Sequence, residues 1–428
     1  MAILQFTMSQ FNAIEKSAAY LLSSTPLLKR FLKWTYQAFN AAIYRKSHRF
    51  ICYKPVKAVF SRDEESFFGY YDKSPVGPDG DFVLFQTTSF STSKKPSCKA
   101  PISIILKNNN TGEELEISKS YAYNWQQGTK LQWIDSKRFV FNKFFSESQS
   151  YKGVIFDISG SLVAELNFPV YDVYKGKYAL TVKYERLHAM RPDYGYRCHN
   201  TFIDFNDNKN DGIFYCDMSR NRMRLLISLD DLINLNPKLT MTGAYHKVNH
   251  IMIAPGGERF MFLHRWIGKN KKRYDRLAVA DIDGTNLKVI ADDEMVSHCC
   301  WYGADTIIGY MRHFSRGNGF YRIDIDSGDV MLLSEKLQHF GDGHPSCNGS
   351  RMVFDSYPDR SRMKCLNIYD IEADTLENIG EFYEPLKYFD QTRCDLHPKW
   401  SFDGQSIFID SVHEEKRKLY EISVNSRS

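Results

Sequence analysis

The feature that most constrains this 428-residue chain is a unit that restarts four times in its C-terminal half. Each copy is a short apolar strand, a Gly or Asp turn and a second apolar strand. The copies run over 249–265, 297–313, 343–356 and 396–411, and the histidines that open them, His250, His298, His344 and His397, are spaced by 48, 46 and 53 residues. That period suits one four-stranded propeller blade, a unit that cannot bury both faces alone and is stable only when neighbours stack on it. A polar loop and a third strand follow each of the first three copies and end in turns such as Asp281–Gly284 and Asp324–Gly328.

Weaker copies precede these. In 71–86, Lys73 stands seven residues before Gly80, as His397 stands before Gly404. In 131–141, Trp133 matches Trp301, and 173–182 supplies a third copy. Three and four predict an all-β, seven-bladed β-propeller (residues 49–428) behind a short basic N-terminal helical arm (residues 1–48). The last blade runs out at Val424 after three strands, so the segment near 51–62 is expected to lend the fourth and leave no free sheet edge.

Composition supports a large β-rich core: 43% of residues are hydrophobic and 14% aromatic, which excludes disorder for the body of the chain. A net charge of +5 is too small for a protein that grips nucleic acid through a dense basic surface, so no nucleic-acid partner is expected. Nine cysteines, an odd number without a CxxC pair, argue against a zinc or disulfide framework and for a reducing compartment, the cytoplasm. Neither a signal peptide nor a spanning segment is read. Residues 26–46 interleave Leu27, Leu28, Phe31, Leu32, Trp34, Phe39 and Ile43 with Lys29, Arg30, Lys33, Arg45 and Lys46. Such a helix suits peripheral contact with the inner membrane or docking on the propeller.

In a blade, the start of the first strand lies beside the end of the second. The four histidines sit at expected strand starts, and His264, Arg265, Arg312, His313, Asp355 and Asp410 at expected strand ends, so one rim should collect both sets. A histidine in a repeat can be purely structural. Several neutral imidazoles with an oxygen donor also suit Mn²⁺, Fe²⁺ or Zn²⁺, and Gln391, Asp395 and His397 offer donors within seven residues. A second polar cluster, 184–200, interrupts the β pattern of the third blade. Arginine forks there would grip carboxylates and tyrosine faces would stack on sugar rings, or the loop would only plug the funnel. Tyr71, Lys73, Arg191, Tyr196, His199 and Arg265 are the candidate substrate contacts. No GxSxG elbow, Walker loop or GxGxxG fingerprint is present.

Around His298, His344 and 391–397 the chain resembles the oligogalacturonate lyases, seven-bladed propellers that cleave uronate oligosaccharides by β-elimination with a metal, typically Mn²⁺. The resemblance implies His344 and His397 as ligands, Gln391 as an amide ligand and His298 as the base. Where that family has a second histidine two places before its last ligand, this chain has Asp395, a carboxylate that can take its place. The stretches 68–75 and 191–196 resemble propellers found with bacterial surface-polysaccharide genes. The expectation is a metal-assisted lyase or hydrolase acting on an acidic oligo- or polysaccharide. His298 or His250 is the expected base, and His344, His397, Asp395 and Gln391 hold a divalent ion such as Mn²⁺. Arg312 or Arg197 is the expected carboxylate clamp. The alternatives are a non-catalytic glycan-binding or scaffold propeller in surface-polysaccharide (capsule) biosynthesis, and a glycosyltransferase.

Overall fold

Seven antiparallel sheets follow one another in chain order around an axis in the computed structural model, which describes residues 26–199 and 202–424, without the side chains of 26–30. Numbered from the N-terminus, blades 1 to 7 have inner strands Glu65–Phe67, Gln132–Trp133, Asp172–Tyr174, Tyr245–Ile253, Val296–Trp301, Ser346–Asn348 and Lys399–Trp400. This is the seven-bladed β-propeller that the repeat predicts.

Closure occurs where expected. Val56–Ala58 pairs antiparallel with Lys418–Ser423, so the outermost strand of blade 7 comes from the start of the propeller. A second pairing was not legible in the sequence: Phe50–Cys52 adds a fifth strand to blade 6, beside Thr375–Tyr383. Two three-residue strands therefore stitch the N-terminal segment to the last two blades, covering edges that would otherwise offer unmet N–H and C=O groups.

Neighbouring blades are joined by two recurring devices. An indole at or near the end of an inner strand donates to a carbonyl of the preceding blade: Trp133 to Pro75 O (2.9 Å), Trp301 to Met252 O (3.0 Å) and Trp400 to Ser346 O (3.0 Å). Near the end of the second strand, a buried polar side chain accepts a backbone N–H of the next blade. Gln86 accepts from Thr129 (2.9 Å), Asn142 from Val170 (2.8 Å), Asp355 from His397 (3.2 Å) and Asp410 from Phe68 (2.9 Å). Asp410, expected at the rim, thus seals blade 7 to blade 1. These bonds satisfy backbone groups that a buried blade-to-blade junction would leave orphaned.

The arm contains a helix, Pro26–Ile43, that rests on the rim near blades 6 and 7. Lys33 lies over the Phe389 ring at 5.6 Å, and beyond the helix Lys46 pairs with Glu381 (2.6 Å). Residues 1–25 of the expected arm, and the side chains of Leu27, Leu28, Lys29 and Arg30, lie outside what is described. No described helix is long and apolar enough to cross a membrane. All nine cysteines are free thiols.

Candidate functional site

The histidines do not stand at strand starts in the way the repeat suggests. His298 is the third residue of Val296–Trp301 and His250 lies in the second half of Tyr245–Ile253, while His344 and His397 just precede their strands. Pairing with the second strand slips between Asn249 and Met252 and between Val296 and Cys299, and His250 and His397 adopt φ of +54° and +45°. A bulge of this kind re-aims a side chain. All four imidazoles are buried in an arc, with successive ring centroids 5.7, 4.0 and 4.4 Å apart.

Two tyrosines of blade 1 pack against the arc. Tyr70 lies 5.2 Å from His250 and 5.0 Å from His397 and hydrogen-bonds His250 Nδ1 through its hydroxyl. The Tyr71 hydroxyl donates to Cys299 O (2.9 Å) and accepts from Cys299 N (3.1 Å). Tyr71 thus pins blade 1 to blade 5, with its ring 5.4 Å from His344.

His344 is the most tightly oriented of the four. Its Nδ1 bonds to Asp355 Oδ1 (2.8 Å), and the same buried carboxylate accepts the backbone N–H groups of His344 (2.7 Å) and His397 (3.2 Å). Burial works against charge on His344, yet Asp355 outweighs it and raises the imidazole above its ordinary value. In the neutral imidazole, with Nδ1–H given to Asp355, Nε2 is the acceptor nitrogen, the orientation that metal-binding imidazoles receive from a carboxylate behind them. Burial, then His344 and Lys399, keep His397 well below its ordinary value and so neutral. Asp395 lies 3.9 Å from His397 Nε2. Burial opposes its ionisation, but Arg393 and His344 outweigh that and hold Asp395 at about 2.

Nε2 of His344 and Nε2 of His397 are both buried and have no hydrogen-bond partner among the described residues. One donor atom from each of His344, Asp395 and His397 lies within 4.8 Å of the others. Orphaned imidazole nitrogens beside an ionised carboxylate fit a first-row divalent cation. Gln391 stands apart from this arrangement, because its amide oxygen accepts from Arg197 Nη2.

His298 stands beside the cluster. Nδ1 contacts Asp342 Oδ1 (3.1 Å) and Ser297 Oγ (3.1 Å), and burial together with His344 pushes the imidazole down to about 4. It is neutral at neutral pH and held by one nitrogen, as a general base must be. Burial and Arg265 keep His250 neutral as well, with Tyr70 on its Nδ1.

A cleft of about 410 Å³ opens over Asp395, lined by Arg191, Asp193, Tyr357, Gln391 and Arg393, with Lys33 and Gln37 of the N-terminal helix on one wall. Arg393 binds both Asp395 (2.7 Å) and Asp193 (2.7 Å), and the Tyr357 ring lies 5.8 Å from His344. The blade 3 insertion reaches both the funnel and the cleft. Tyr194 packs on Tyr70 and His250 inside the funnel, while Arg191, bound to Asp193 (2.8 Å), edges the cleft.

The remaining candidates have partners of their own. Tyr196 stacks on Tyr184 at 4.2 Å and accepts from Asn142 (3.0 Å), which makes it core. Lys73 is tied to Asp172 (2.7 Å). Arg265 pairs with Asp275 (2.9 Å) and donates to Val296 O (3.2 Å), joining blades 4 and 5. Arg312 turns to Asn318 (3.4 Å) and Glu294 (3.8 Å). The backbone N–H of His199 donates to Tyr151 (3.0 Å), at the outer end of the insertion. Long basic side chains in a crowded rim find the nearest carboxylate or carbonyl, and spacing along the chain does not reveal which.

Residues the sequence reading missed include Arg393, Tyr357, Asp342 and Lys247. Lys247 is buried, and burial with Arg191 and Arg265 depresses its ammonium well below the ordinary range. The position of Arg393 two residues before Asp395 was its only visible signal.

No family model and no curated protein matches the sequence. Among solved structures, the fold is similar to an oligogalacturonate lyase from Vibrio parahaemolyticus, at 12% identity and TM-score 0.59, covering 88% of this chain and 97% of that one. It is also similar to an oligogalacturonate lyase in complex with manganese, at 13% identity and TM-score 0.61, over 88% and 96% of the two chains. The β-propeller domain of the trilobed protease from Pyrococcus furiosus matches at 9% identity and TM-score 0.48, over 85% and 97%.

Proposed function

We propose that this protein is a metal-assisted lyase acting on an acidic oligo- or polysaccharide. The observation that carries the reading is the pair of buried, partnerless Nε2 atoms of His344 and His397 beside Asp395, under a cleft edged by Arg191 and Arg393. The fold shared with a manganese-bound oligogalacturonate lyase supports it. His344, His397 and Asp395 are the proposed ligands, and Asp355 orients His344 from behind.

A divalent cation bound by His344, His397 and Asp395 would supply positive charge against a substrate carboxylate and so stabilise the negative charge that grows when the adjacent proton leaves. Arg191 and Arg393 favour an anionic sugar at the cleft. Neutral His298, held at Nδ1 by Asp342, takes the proton at Nε2 as the double bond forms and the β glycosidic C–O bond breaks, the released oxygen being protonated from solvent. Arg197 and Arg312 do not line the cleft and are left out of the clamp.

Elemental analysis of the purified full chain, paired with assays on uronate and neutral oligosaccharides, tests this. One bound divalent ion per chain, lost in His344→Ala, and an ultraviolet-absorbing unsaturated product from uronates alone are expected. New reducing ends without unsaturation would make it a hydrolase. No bound metal and no product would leave the non-catalytic glycan-binding propeller.

A further inference from the structure

We infer that Lys247 is the anion-binding residue of a second site, on the blade 4 side of the funnel, which takes an oxyanion of the carboxylate, sulfate or phosphate type. Lys247 stands on the inner strand of blade 4, directly across from Arg265 of the second strand. Both are buried, at 3% exposure each. Like charges directly opposite one another destabilise a sheet, and a buried ammonium without a counter-charge is more destabilising still. Yet Lys247 Nζ forms no hydrogen bond or ion pair with any described residue. Nor is it sealed from solvent, as the Nε2 atoms of His344 and His397 are.

The carboxylates nearby are already engaged. Asp275 is shared by Arg265 (2.9 Å) and Arg273 (3.2 Å). Asp193 is shared by Arg191 (2.8 Å) and Arg393 (2.7 Å), and Arg393 also holds Asp395 (2.7 Å). The chain of pairs through Asp193 and Asp395 balances in charge, whereas the one through Asp275 has a guanidinium in excess, and Lys247 adds a further cation. Members of both chains act on it: after burial, Arg191 and Arg265 do most to hold its ammonium well below the ordinary range. The group that this arrangement lacks is an anion, whose arrival favours the charged amine. A lysine suits that role here, because the guanidinium forks around it are fixed in pairs while an ammonium offers three rotatable donors. Arg191 and Asp193 also line the cleft over Asp395, so the position lies beside that cleft. The proposed metal ligands come from blades 6 and 7, so the anion site does not depend on the chemistry proposed for them.

Trace acetylation of the full chain with acetic anhydride, read peptide by peptide by mass spectrometry, tests the inference in sodium chloride, sulfate and acetate of equal ionic strength. Lys247 is expected to be labelled in chloride and protected about tenfold in sulfate, acetate or both, as occupancy by mass action requires, while the exposed Lys57 is labelled equally in all three. Protection by acetate alone assigns a carboxylate, by sulfate alone a sulfate or phosphate group, and by both the chemistry they share. This measurement needs no variant. Lys247→Met removes a cation facing Arg265, so it should keep or raise the melting midpoint in chloride. It should also lose the saturable rise that the protecting anion gives the wild type at millimolar concentration. A Lys247 that is never labelled, or that neither anion protects, would overturn the inference. So would a rise in midpoint that Lys247→Met retains in full.

Discussion

Blades 4 to 7 place His250, His298, His344 and His397 at the axis position of the repeat, whereas blades 1 and 2 place Lys73 and Lys130 there and blade 3 places Val170. The equivalence follows from register: three residues later come the cross-strand pairs Val76↔Val83, Trp133↔Phe139, Val173↔Ala179, Trp301↔Ile307 and Trp400↔Ile407. Lys130 even shares the positive φ of His250 and His397, at +56°. What differs is how the charge ends. Lys73 reaches Asp172 (2.7 Å), and Lys130 lies 3.5 Å from Asp72 and 4.1 Å from the Tyr171 ring centroid. A lysine is long and flexible enough to cross to a neighbour's carboxylate, while an imidazole ends where its ring ends. One half of the axis is therefore closed by compensated charge, and the other presents nitrogen lone pairs.

The strongest way to break this contrast is to remove the group behind the open half. Asp355→Ala deletes the acceptor for His344 Nδ1 and for two backbone N–H groups in a fully buried setting. Urea denaturation should show a loss of about 3–5 kcal/mol. A loss under 1 kcal/mol would mean that the imidazoles orient themselves.

His344→Ala should leave the fold intact and lower turnover in the proposed lyase reaction by roughly 100-fold or more, together with bound metal. Lys130→Met, at the equivalent place on the closed half, should do the reverse. It leaves Asp72 with only Lys73, at 3.7 Å, which costs about 1–3 kcal/mol of stability, and it leaves the metal content unchanged. If Lys130→Met strips the metal, the two halves are one site.

Acid should expose the histidine-rich half. His246 and His413 are buried, and burial pushes each down to about 4 in the folded state, against about 6.5 when unfolded. Between those values the unfolded chain binds more protons, so stability is complete above about pH 6.5 and falls as pH drops towards 4, by up to roughly 3 kcal/mol for each. His344, raised by Asp355, works in the opposite direction, and His188 in blade 3 adds to the fall. His413→Asn should flatten the slope of denaturation midpoint against pH in that window. A flat wild-type profile that breaks only below pH 4 would assign acid lability to carboxylates instead.

The smallest effect is expected from deleting residues 1–48, which belong to neither half. The pairs of Lys46 and His48 with Glu381 are half-exposed and contribute about 0–1 kcal/mol each. The truncated chain should keep its far-ultraviolet spectrum and lose a few degrees of midpoint at most. Failure to fold would move the boundary of the propeller into the arm.

Much of this was legible in the chain. The spacing of the four histidines, the Gly turns and the run-out at Val424 located the blades and their closure, because a blade buries its faces through local strand periodicity that a sequence carries openly. Phe50–Cys52 escaped, since three residues hold no period and their partner lies in Thr375–Tyr383. Blade 1 was read as opening at Tyr71. Its inner strand is Glu65–Phe67, paired with Gln86–Thr88, and the stretch between that strand and the turn leaves the ladder to carry Tyr70 and Tyr71 to the axis. Propensity says nothing about such a departure, which exists only because the funnel has room to fill.

By itself, then, the sequence determined the number of blades, their order, the sealing of the ring and the presence of donor-rich side chains near one rim, all consequences of short-range pattern. Only the tertiary structure decided which of those side chains remain available. Arg197 is taken by Gln391, 194 residues away, and Lys130 by Asp72 across a blade boundary. His344 and His397 keep their Nε2 atoms because Asp355 engages the opposite ring nitrogen of one and the backbone N–H of both. Whether a polar group is satisfied depends on what the folded chain brings within about 3 Å of it, and that distance is set by packing rather than by order along the chain.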